Sequence, residues 1–467
     1  MAEQYDLVVI GGGPGGYAAA LYGASAGLKV ACIEKDKVGG TCLHRGCIPA
    51  KEFLETAAVY RHVAGAKEFG IEAGQPSVDF SVSQARKQRV VDGLFRGLSG
   101  LMKSRKIDIY TGVGSLGADH TVTVQGGDGN TATLRGTNII LAAGSAARTI
   151  PGFDVDGEIV LTSDEVLMLD HVPKSVVVIG GGAIGCEFAS TFSDLGAKVT
   201  ILEFLPKILP GCDADVANVV VRSFTKRGIT IRTGAKVVGH EPNANGGTRV
   251  LVEGGEPVEA DAVIVSVGRR PYADLLGLTG TAVKVTDRGF VEVDELCRTA
   301  EPGVYAIGDL RDGPQLAHVG FAEAIMIVKH ILGERANPVA YDRVPWAIYC
   351  HPEVAFAGYS EEAAKEAGYD VVTHKDAYRA NSRANIIGET EGLVKVIAEK
   401  GPDGKAGRVL GVHMVGPWVT EQLGQGYLAV NWEATVDEVA EFVQPHPTLS
   451  EAFGETFIAL TGRSLHG

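Results

Sequence analysis

Two stretches of this chain repeat one design. "YDLVVIGGGPGGYAAALYGASAGLKVACIEK" runs from Tyr5 to Lys35, and "KSVVVIGGGAIGCEFASTFSDLGAKVTILEF" from Lys174 to Phe204. Each has a β-branched run, a glycine cluster, a helix pattern of small residues, a second short β-run and a glutamate near its end. Gly11, Gly13, Gly16 and Glu34 correspond to Gly180, Gly182, Gly185 and Glu203 at one constant offset, so the chain holds a duplicated βαβ unit. GxGxxG alone is weak, because a chain with 62 glycines produces it by chance. After a strand, before a helix and about twenty residues ahead of an acid, it becomes a dinucleotide-binding fingerprint. The first glycine makes the tight turn, the second lets backbone approach a pyrophosphate, and the third lets helix pack on strand. The helix N-terminus offers phosphates free N–H groups and a partial positive charge. Glu34 and Glu203 can accept hydrogen bonds from ribose hydroxyls, whereas a 2′-phosphate beside either carboxylate is repelled. The second unit is therefore expected to prefer NAD over NADP.

At 467 residues the chain has length for three or four domains, and its 45% hydrophobic content assigns the glycines to turns rather than to disorder. With 57 acidic against 43 basic side chains the net charge is −14, which argues against nucleic acid or an anionic membrane as a partner. The start, "MAEQYD", is acidic and lacks the basic region of a signal peptide. Leu7 to Leu28 is uncharged and as long as a membrane span, but it contains Pro14 and seven glycines, which a soluble βα unit explains better. Seven cysteines are too few for a disulfide scaffold, and a reducing cytoplasm is expected.

"GGTCLHRGCIPAKEF", Gly39 to Phe53, sets Cys42 and Cys47 five residues apart. On an ideal helix such positions lie roughly 8.6 Å apart, beyond the ~7 Å Cα limit for a disulfide. A bond between them needs a distorted turn, which Gly46 permits and Pro49, lacking an N–H, encourages. The residues alone leave three readings open: a redox disulfide, two ordinary buried thiols, or half of a metal site. Elsewhere, "TNIILAAGSAARTIPG" (137–152) and "DAVIVSVGRRPYADLL" (261–276) read as strands running into turns that close the two nucleotide units. From about residue 345 the pattern changes. "VPWAIYCHPEVAFAGYS", "GLVKVIAEK" and "GRVLGVHMVG" look like strands of a mixed or antiparallel sheet, flanked by helical stretches and without a glycine fingerprint.

The doubled fingerprint, the cysteine pair, "AIGD" ending at Asp309 and "HPTLSE" from His446 to Glu451 together resemble the flavoprotein disulfide reductases. Within them the chain looks like the branch that oxidises dihydrolipoyl groups for the 2-oxo acid dehydrogenase complexes. The resemblance implies an α/β fold of two Rossmann-like dinucleotide-binding domains plus a C-terminal α+β dimerisation domain. Its expected parts are an FAD-binding domain at 1–150, an NAD-binding domain at 151–275, a central segment at 276–345 completing the FAD region, and an interface domain at 346–467. By resemblance, Gly11, Gly13, Gly16, Glu34 and Asp309 serve FAD, and Gly180, Gly182, Gly185 and Glu203 serve NAD. Gly144 and Gly268, in the two closing turns, count among the cofactor-binding residues. Cys42 is the expected interchange thiol and Cys47 its partner beside the flavin. Lys51 is expected near flavin N5, paired with Glu187 near the nicotinamide. No metal is implied.

His446 and Glu451 are the expected catalytic dyad. A thiol with a pKa of about 8.5–10 needs a base to become a nucleophile at neutral pH, and a carboxylate behind an imidazole fixes its tautomer. In the family this dyad comes from the neighbouring subunit, which implies a homodimer, and the implied partner is the lipoylated acyltransferase component of a 2-oxo acid dehydrogenase complex. The competing expectations are an NAD(P)H-dependent low-molecular-weight disulfide reductase, against which Glu203 argues, and a mainly organising role as a peripheral subunit. Mercuric reduction is disfavoured because the chain ends "TGRSLHG", without a cysteine pair. Three departures from the family pattern stand out: His44-Arg45 where Asn-Val is usual, Gln444 where a histidine is common, and "HVGFAEAI" after Ala317. A cation at position 45 is expected to lower the thiolate pKa. Cys32, Cys186, Cys212, Cys297 and Cys350 fit no metal-ligand spacing and read as structural thiols.

Overall fold

The computed structural model describes residues 2–244 and 246–466. The chain divides into two compact units, one of residues 1–53, 79–148 and 268–341, the other of residues 54–78, 149–267 and 342–467.

In the first unit β1 (Glu3–Ile10) runs parallel to β2 (Val30–Glu34), with α1 (Pro14–Ser25) as the crossover between them. The sheet continues from β2 to β3 (Asp108–Thr111), and from the other side of β1 to β6 (Thr131–Leu141), β5 (Thr121–Gln125) and β4 (Val113–Leu116). The strand Val304–Ala306 pairs in parallel with β6, so a distant segment returns to the same sheet. Parallel strands are covered on both faces and therefore read as unbroken apolar runs. "LVVI" at Leu7–Ile10 obeys this, with every residue at most 3% exposed. Three α-helices follow β2 before the sheet resumes: α2 (Gly40–Arg45), α3 (Cys47–Gly65), which passes into the second unit at residue 54, and α4 (Phe80–Ser104). Asp79 caps α4 by accepting the Ser81 N–H.

The second unit contains the repeat of the βαβ design. Ser175–Ile179, the helix Ala183–Asp194 and Lys198–Leu202 build it, inside a five-stranded parallel sheet completed by Thr230–Arg232, Ala262–Val265 and Val160–Leu161. A three-stranded antiparallel sheet, Val237–Pro242 to Val258–Ala260, accompanies it. The same unit holds an antiparallel sheet in the order Trp346–Ile348, Glu353–Gly358, Ala406–Gly416, Leu393–Lys400, Val371–Ala377. The helices Val419–Asn431 and Glu451–Leu460 contribute Val419, Leu423, Phe453 and Phe457 to the core of this sheet. Phe453 and Phe457 are fully buried, each worth roughly 1.5–3 kcal/mol of transfer free energy. Lys395, 4% exposed, meets three carboxylates: Asp213 at 3.0 Å, Asp215 at 2.9 Å and Glu361 at 2.7 Å. The architecture is thus α/β with two dinucleotide-type folds and a C-terminal α+β part, as the sequence implies. Among the described residues no helix is long and apolar enough to cross a membrane.

Candidate active site

The two glycine turns repeat each other closely. Gly11 and Gly180 lie in the left-handed region, at φ 110° and 106°. A Cβ at Gly11 would stand 2.2 Å from the Ala142 carbonyl oxygen, and one at Gly180 2.5 Å from that of Ser266. A Cβ at Gly16 would fall 1.8 Å from the Gly11 oxygen, and one at Gly185 2.0 Å from the Gly180 oxygen, so each third glycine lets its helix close onto the turn. Gly13 and Gly182 are the N-cap residues of their helices, and a Cβ on either would meet nothing, which leaves that side of each turn open to a ligand. Glu34 Oε2 accepts the Gly12 N–H at 2.8 Å and Glu203 Oε2 the Gly181 N–H at 2.6 Å. Their Oε1 atoms accept the N–H groups of Asp36 at 2.9 Å and Leu205 at 2.6 Å. Each oxygen keeps a second lone pair for a hydroxyl. In the first unit a cleft lined by Ile10, Gly11, Glu34, Lys35, Gly114 and Leu275 runs along this turn. Glycine turn, helix terminus, acid and cleft make a cradle that fits a dinucleotide.

Asp309 lies in the same unit, in the short helix Gly308–Leu310 that follows Val304–Ala306. Its Oδ2 accepts a short hydrogen bond from the Ser145 hydroxyl and is 3.6 Å from Arg269 Nε. Arg269 in turn donates to the Ser145 hydroxyl at 2.7 Å and to the Ser145 carbonyl at 2.8 Å. Sequence reasoning missed Ser145 and Arg269, although each directly follows a glycine it singled out. Gly144 and Gly268 both adopt positive φ, 73° and 103°, with open space where a Cβ would be.

The cysteine pair sits where a helix is broken. α2 ends at Arg45, Gly46 takes φ −149° and ψ −112°, and α3 restarts at Cys47 with Pro49 in its first turn. A Cβ at Gly46 would stand 3.0 Å from the Thr41 carbonyl oxygen and 3.4 Å from Cys42 Cα. The break lets the Cys42 and Cys47 side chains reach hydrogen-bonding distance, an interaction that, together with burial, pushes the Cys42 thiol well above its ordinary range. The Lys51 charge acts in the opposite direction. Lys51 is four residues after Cys47, on the same face of α3. Arg45 pairs with Asp36 at 3.5 Å. His44 is within 3.0 Å of the Val38 carbonyl and packs edge-on against Phe95. The other five cysteines are buried, and burial pushes Cys32 and Cys297 up to about 12, as suits inert thiols.

In the second unit, His446 Nδ1 is 2.7 Å from Glu451 Oε1 at the start of the helix Glu451–Leu460. Glu451 Oε2 accepts the Thr448 N–H at 2.8 Å, and Asn381 holds the Thr448 carbonyl at 2.9 Å. Partial burial pushes the Glu451 carboxyl up, but the Thr448 N–H and His446 outweigh it and hold the group below the usual carboxylate range. Gln444 Nε2 donates to Gln425 Oε1 at 3.3 Å. Its Cγ lies 2.7 Å from where a Cβ at Gly454 would be, so the absent side chain makes its room. Glu187, buried on the helix Ala183–Asp194, accepts the Tyr349 N–H at 2.9 Å, a backbone contact that no sequence pattern announces.

The family described as pyridine nucleotide-disulphide oxidoreductase matches residues 5–324, and its dimerisation domain matches residues 344–457. The chain is 42% identical to a dihydrolipoyl dehydrogenase of Bacillus subtilis, over 100% of both chains. It is 39% identical to the dihydrolipoyl dehydrogenase of Thermus scotoductus, over 99% of each. Among solved structures, LpdA from Mycobacterium tuberculosis superposes with a TM-score of 0.91 at 26% identity, covering 98% of this chain and 100% of that one. The HOCl-induced flavoprotein disulfide reductase RclA from Escherichia coli matches with a TM-score of 0.86 at 26% identity, covering 97% and 99%.

Proposed function

The chain belongs to the pyridine nucleotide-disulphide oxidoreductase family, and from that premise we propose that it oxidises protein-bound dihydrolipoyl groups to lipoyl through a Cys42–Cys47 disulfide, with FAD in its first unit and NAD+ as the electron acceptor. The observation that carries this reading is the thiol pair at the α2–α3 break, joined by hydrogen bond and accompanied by the Lys51 charge, in the unit that also holds the dinucleotide cradle.

His446, its Nδ1 held on Glu451, takes a proton at Nε2 from one substrate thiol. The thiolate attacks Cys42 Sγ, a mixed disulfide forms, the Cys42–Cys47 bond breaks and Cys47 leaves as a thiolate, for which Lys51 is a nearby counter-charge. The second substrate thiol attacks the mixed disulfide and gives its proton to the departing Cys42 sulfur; the bond to Cys42 breaks, the lipoyl disulfide closes, and the Cys42/Cys47 pair is left reduced by two electrons. The chemistry that a bound flavin supplies is transfer of that electron pair, as hydride, to NAD+. Gly11, Gly13, Gly16, Glu34, Gly144 and Asp309 are the residues that would hold FAD, and Gly180, Gly182, Gly185 and Glu203 those that would hold NAD, with Glu187 near the nicotinamide; Gly268 is a further proposed cofactor-binding residue.

The division into 1–150, 151–275, 276–345 and 346–467 is proposed on the same footing, as are the homodimer with its dyad supplied by the second copy, the cytoplasmic location and the lipoylated acyltransferase as partner. Glu203 disfavours the NADPH-dependent small-disulfide reductase, because its carboxylate stands at the Gly181 amide, where a 2′-phosphate would meet negative charge. Anaerobic titration of the purified protein with dihydrolipoamide tests the reading. A long-wavelength charge-transfer band followed by NAD+ reduction is the expected result; a colourless protein that takes up no flavin overturns it.

A further inference from the structure

The segment that departs from the family pattern, "HVGFAEAI", lies on the helix Ala317–Ile331, and it carries a carboxylate that the proposed reaction does not use. Glu323 is 0% exposed. Its Oε2 accepts the Gly308 N–H at 2.6 Å, while its Oε1 accepts Arg311 Nη1 at 3.0 Å and the Tyr341 hydroxyl at 2.9 Å. The Arg311 guanidinium lies over the Tyr341 ring, 3.8 Å from its centre, with its side chain only 11% exposed. A buried carboxylate is strongly unfavourable unless it is paired and hydrogen-bonded, and this one is both.

The two oxygens divide the work. The cation and the phenol both meet Oε1, and burial still pushes the carboxyl above its ordinary range against the Gly308 amide, Arg311 and Tyr341. Oε2 accepts, among the described residues, the amide of a glycine in the left-handed region at φ 62°, directly before Asp309. Were Glu323 present only to neutralise Arg311, nothing would require its second oxygen to meet the Gly308 amide. The Asp309 carboxylate is held by other residues, Ser145 and Arg269. Backbone and side chain of this turn are thus clamped separately, the backbone by Glu323.

We propose that Glu323 is a positioning residue for the flavin: its Oε2, held on the Gly308 amide, fixes the Gly308–Asp309 turn, and through it the Asp309 carboxylate that meets the cofactor. This rests on the reading of the first unit as the FAD site. The test is reconstitution of the full-length deflavo-protein with FAD, followed by quenching of flavin fluorescence, with NAD+ affinity and thermal midpoint measured alongside. Glu323→Gln keeps the shape and removes the charge. It is expected to raise the FAD dissociation constant roughly tenfold or more, the scale of one charge-assisted hydrogen bond, and to leave NAD+ affinity unchanged. Because Glu323→Gln strands a buried cation and can fail to fold, the double variant Glu323→Gln/Arg311→Met is measured too. It is expected to restore the thermal midpoint but not the FAD affinity. Tyr341→Phe removes a donor from Oε1 alone and is expected to change FAD affinity by less than about twofold. Wild-type FAD affinity in the double variant, or in a folded Glu323→Gln, overturns the inference, as does an equal loss in Tyr341→Phe. A wild-type protein that takes up no flavin overturns the underlying reading instead.

Discussion

Replacing Lys51 by methionine removes a positive charge that favours the Cys42 thiolate while keeping the aliphatic stem. Lys51 follows Cys47 by four residues on α3, a step that sets side chains about 6 Å apart. At that separation an effective dielectric of ~20 gives roughly 2.8 kcal/mol between unit charges. Lys51 is partly buried and Cys47 exposed, so solvent screening reduces this to about 1.4 kcal/mol on the hydrogen-bonded cysteine pair, equivalent to about one pKa unit. The sign is fixed: a cation stabilises the anion, so losing it raises the pH at which the pair first ionises. Cys42 and Cys47 share a proton, and the titration belongs to the pair rather than to either sulfur. Iodoacetamide alkylation of the reduced protein against pH, with the two cysteines read separately by peptide mapping, measures it. Lys51→Met should move the midpoint up by about one unit and slow alkylation about tenfold below it, while Lys51→Arg should stay near wild type. Superimposable profiles for Lys51→Met and wild type would show that the charge does not act on the sulfurs and refute the reasoning.

Glu451→Gln removes the charge behind His446 and should lower kcat with dihydrolipoamide roughly 5–30-fold, from about 1–2 kcal/mol after screening. NADH oxidation by an artificial acceptor, which bypasses the dithiol, should be unaffected. Gly16→Ala places a Cβ 1.8 Å from a backbone oxygen and should abolish flavin retention by disordering the turn. Gly13→Ala, which meets no protein atom, should fold normally and lose flavin affinity only, as read by absorbance after gel filtration. Lys395→Met leaves its carboxylates without their buried cation and should lower stability by about 3–5 kcal/mol in urea unfolding. For this cluster the pH dependence follows from Asp215 and Glu361. Partial burial pushes Asp215 up, but Lys375 and Lys395 outweigh it; Lys365 and Lys395 hold Glu361 down against burial, so both lie below the usual range. Groups with depressed folded pKa values stabilise fully above their unfolded values, about 4, and lose that contribution as pH falls through the folded ones. Wild type should therefore weaken below about pH 4 more steeply than Lys395→Met.

The parts of this chain that could be read without a structure are those where one local rule fixes one geometry. The doubled fingerprint is such a case: only glycine tolerates the turn at 11 and 180 or the closure at 16 and 185, so residue type and position carry the same information. Gly46 is another, since the cysteine spacing demanded a break and the glycine supplied it. His446 and Glu451 are five residues apart and needed only a turn ahead of a helix to meet. What stayed hidden arises from long sequence separations. Ser145 and Arg269 meet Asp309 from segments 164 and 40 residues away in the chain, and Tyr349 reaches Glu187 with a backbone amide that any residue would provide. The Arg45–Asp36 pair, nine residues apart across the turn after β2, is likewise a contact that residue type alone does not specify.

The carboxylates at 34 and 203 each receive two main-chain amides, one from the glycine turn and one from the residue two places further on. The acid that would choose the coenzyme is therefore also the staple of the loop that receives it. Converting residue 203 to a small or basic side chain, the obvious route to accepting a phosphorylated ribose, would loosen the Gly181 and Leu205 backbone at the moment it made room. A successful swap of coenzyme has to replace both acceptors, so it calls for coordinated changes in the loop after 203 rather than one substitution.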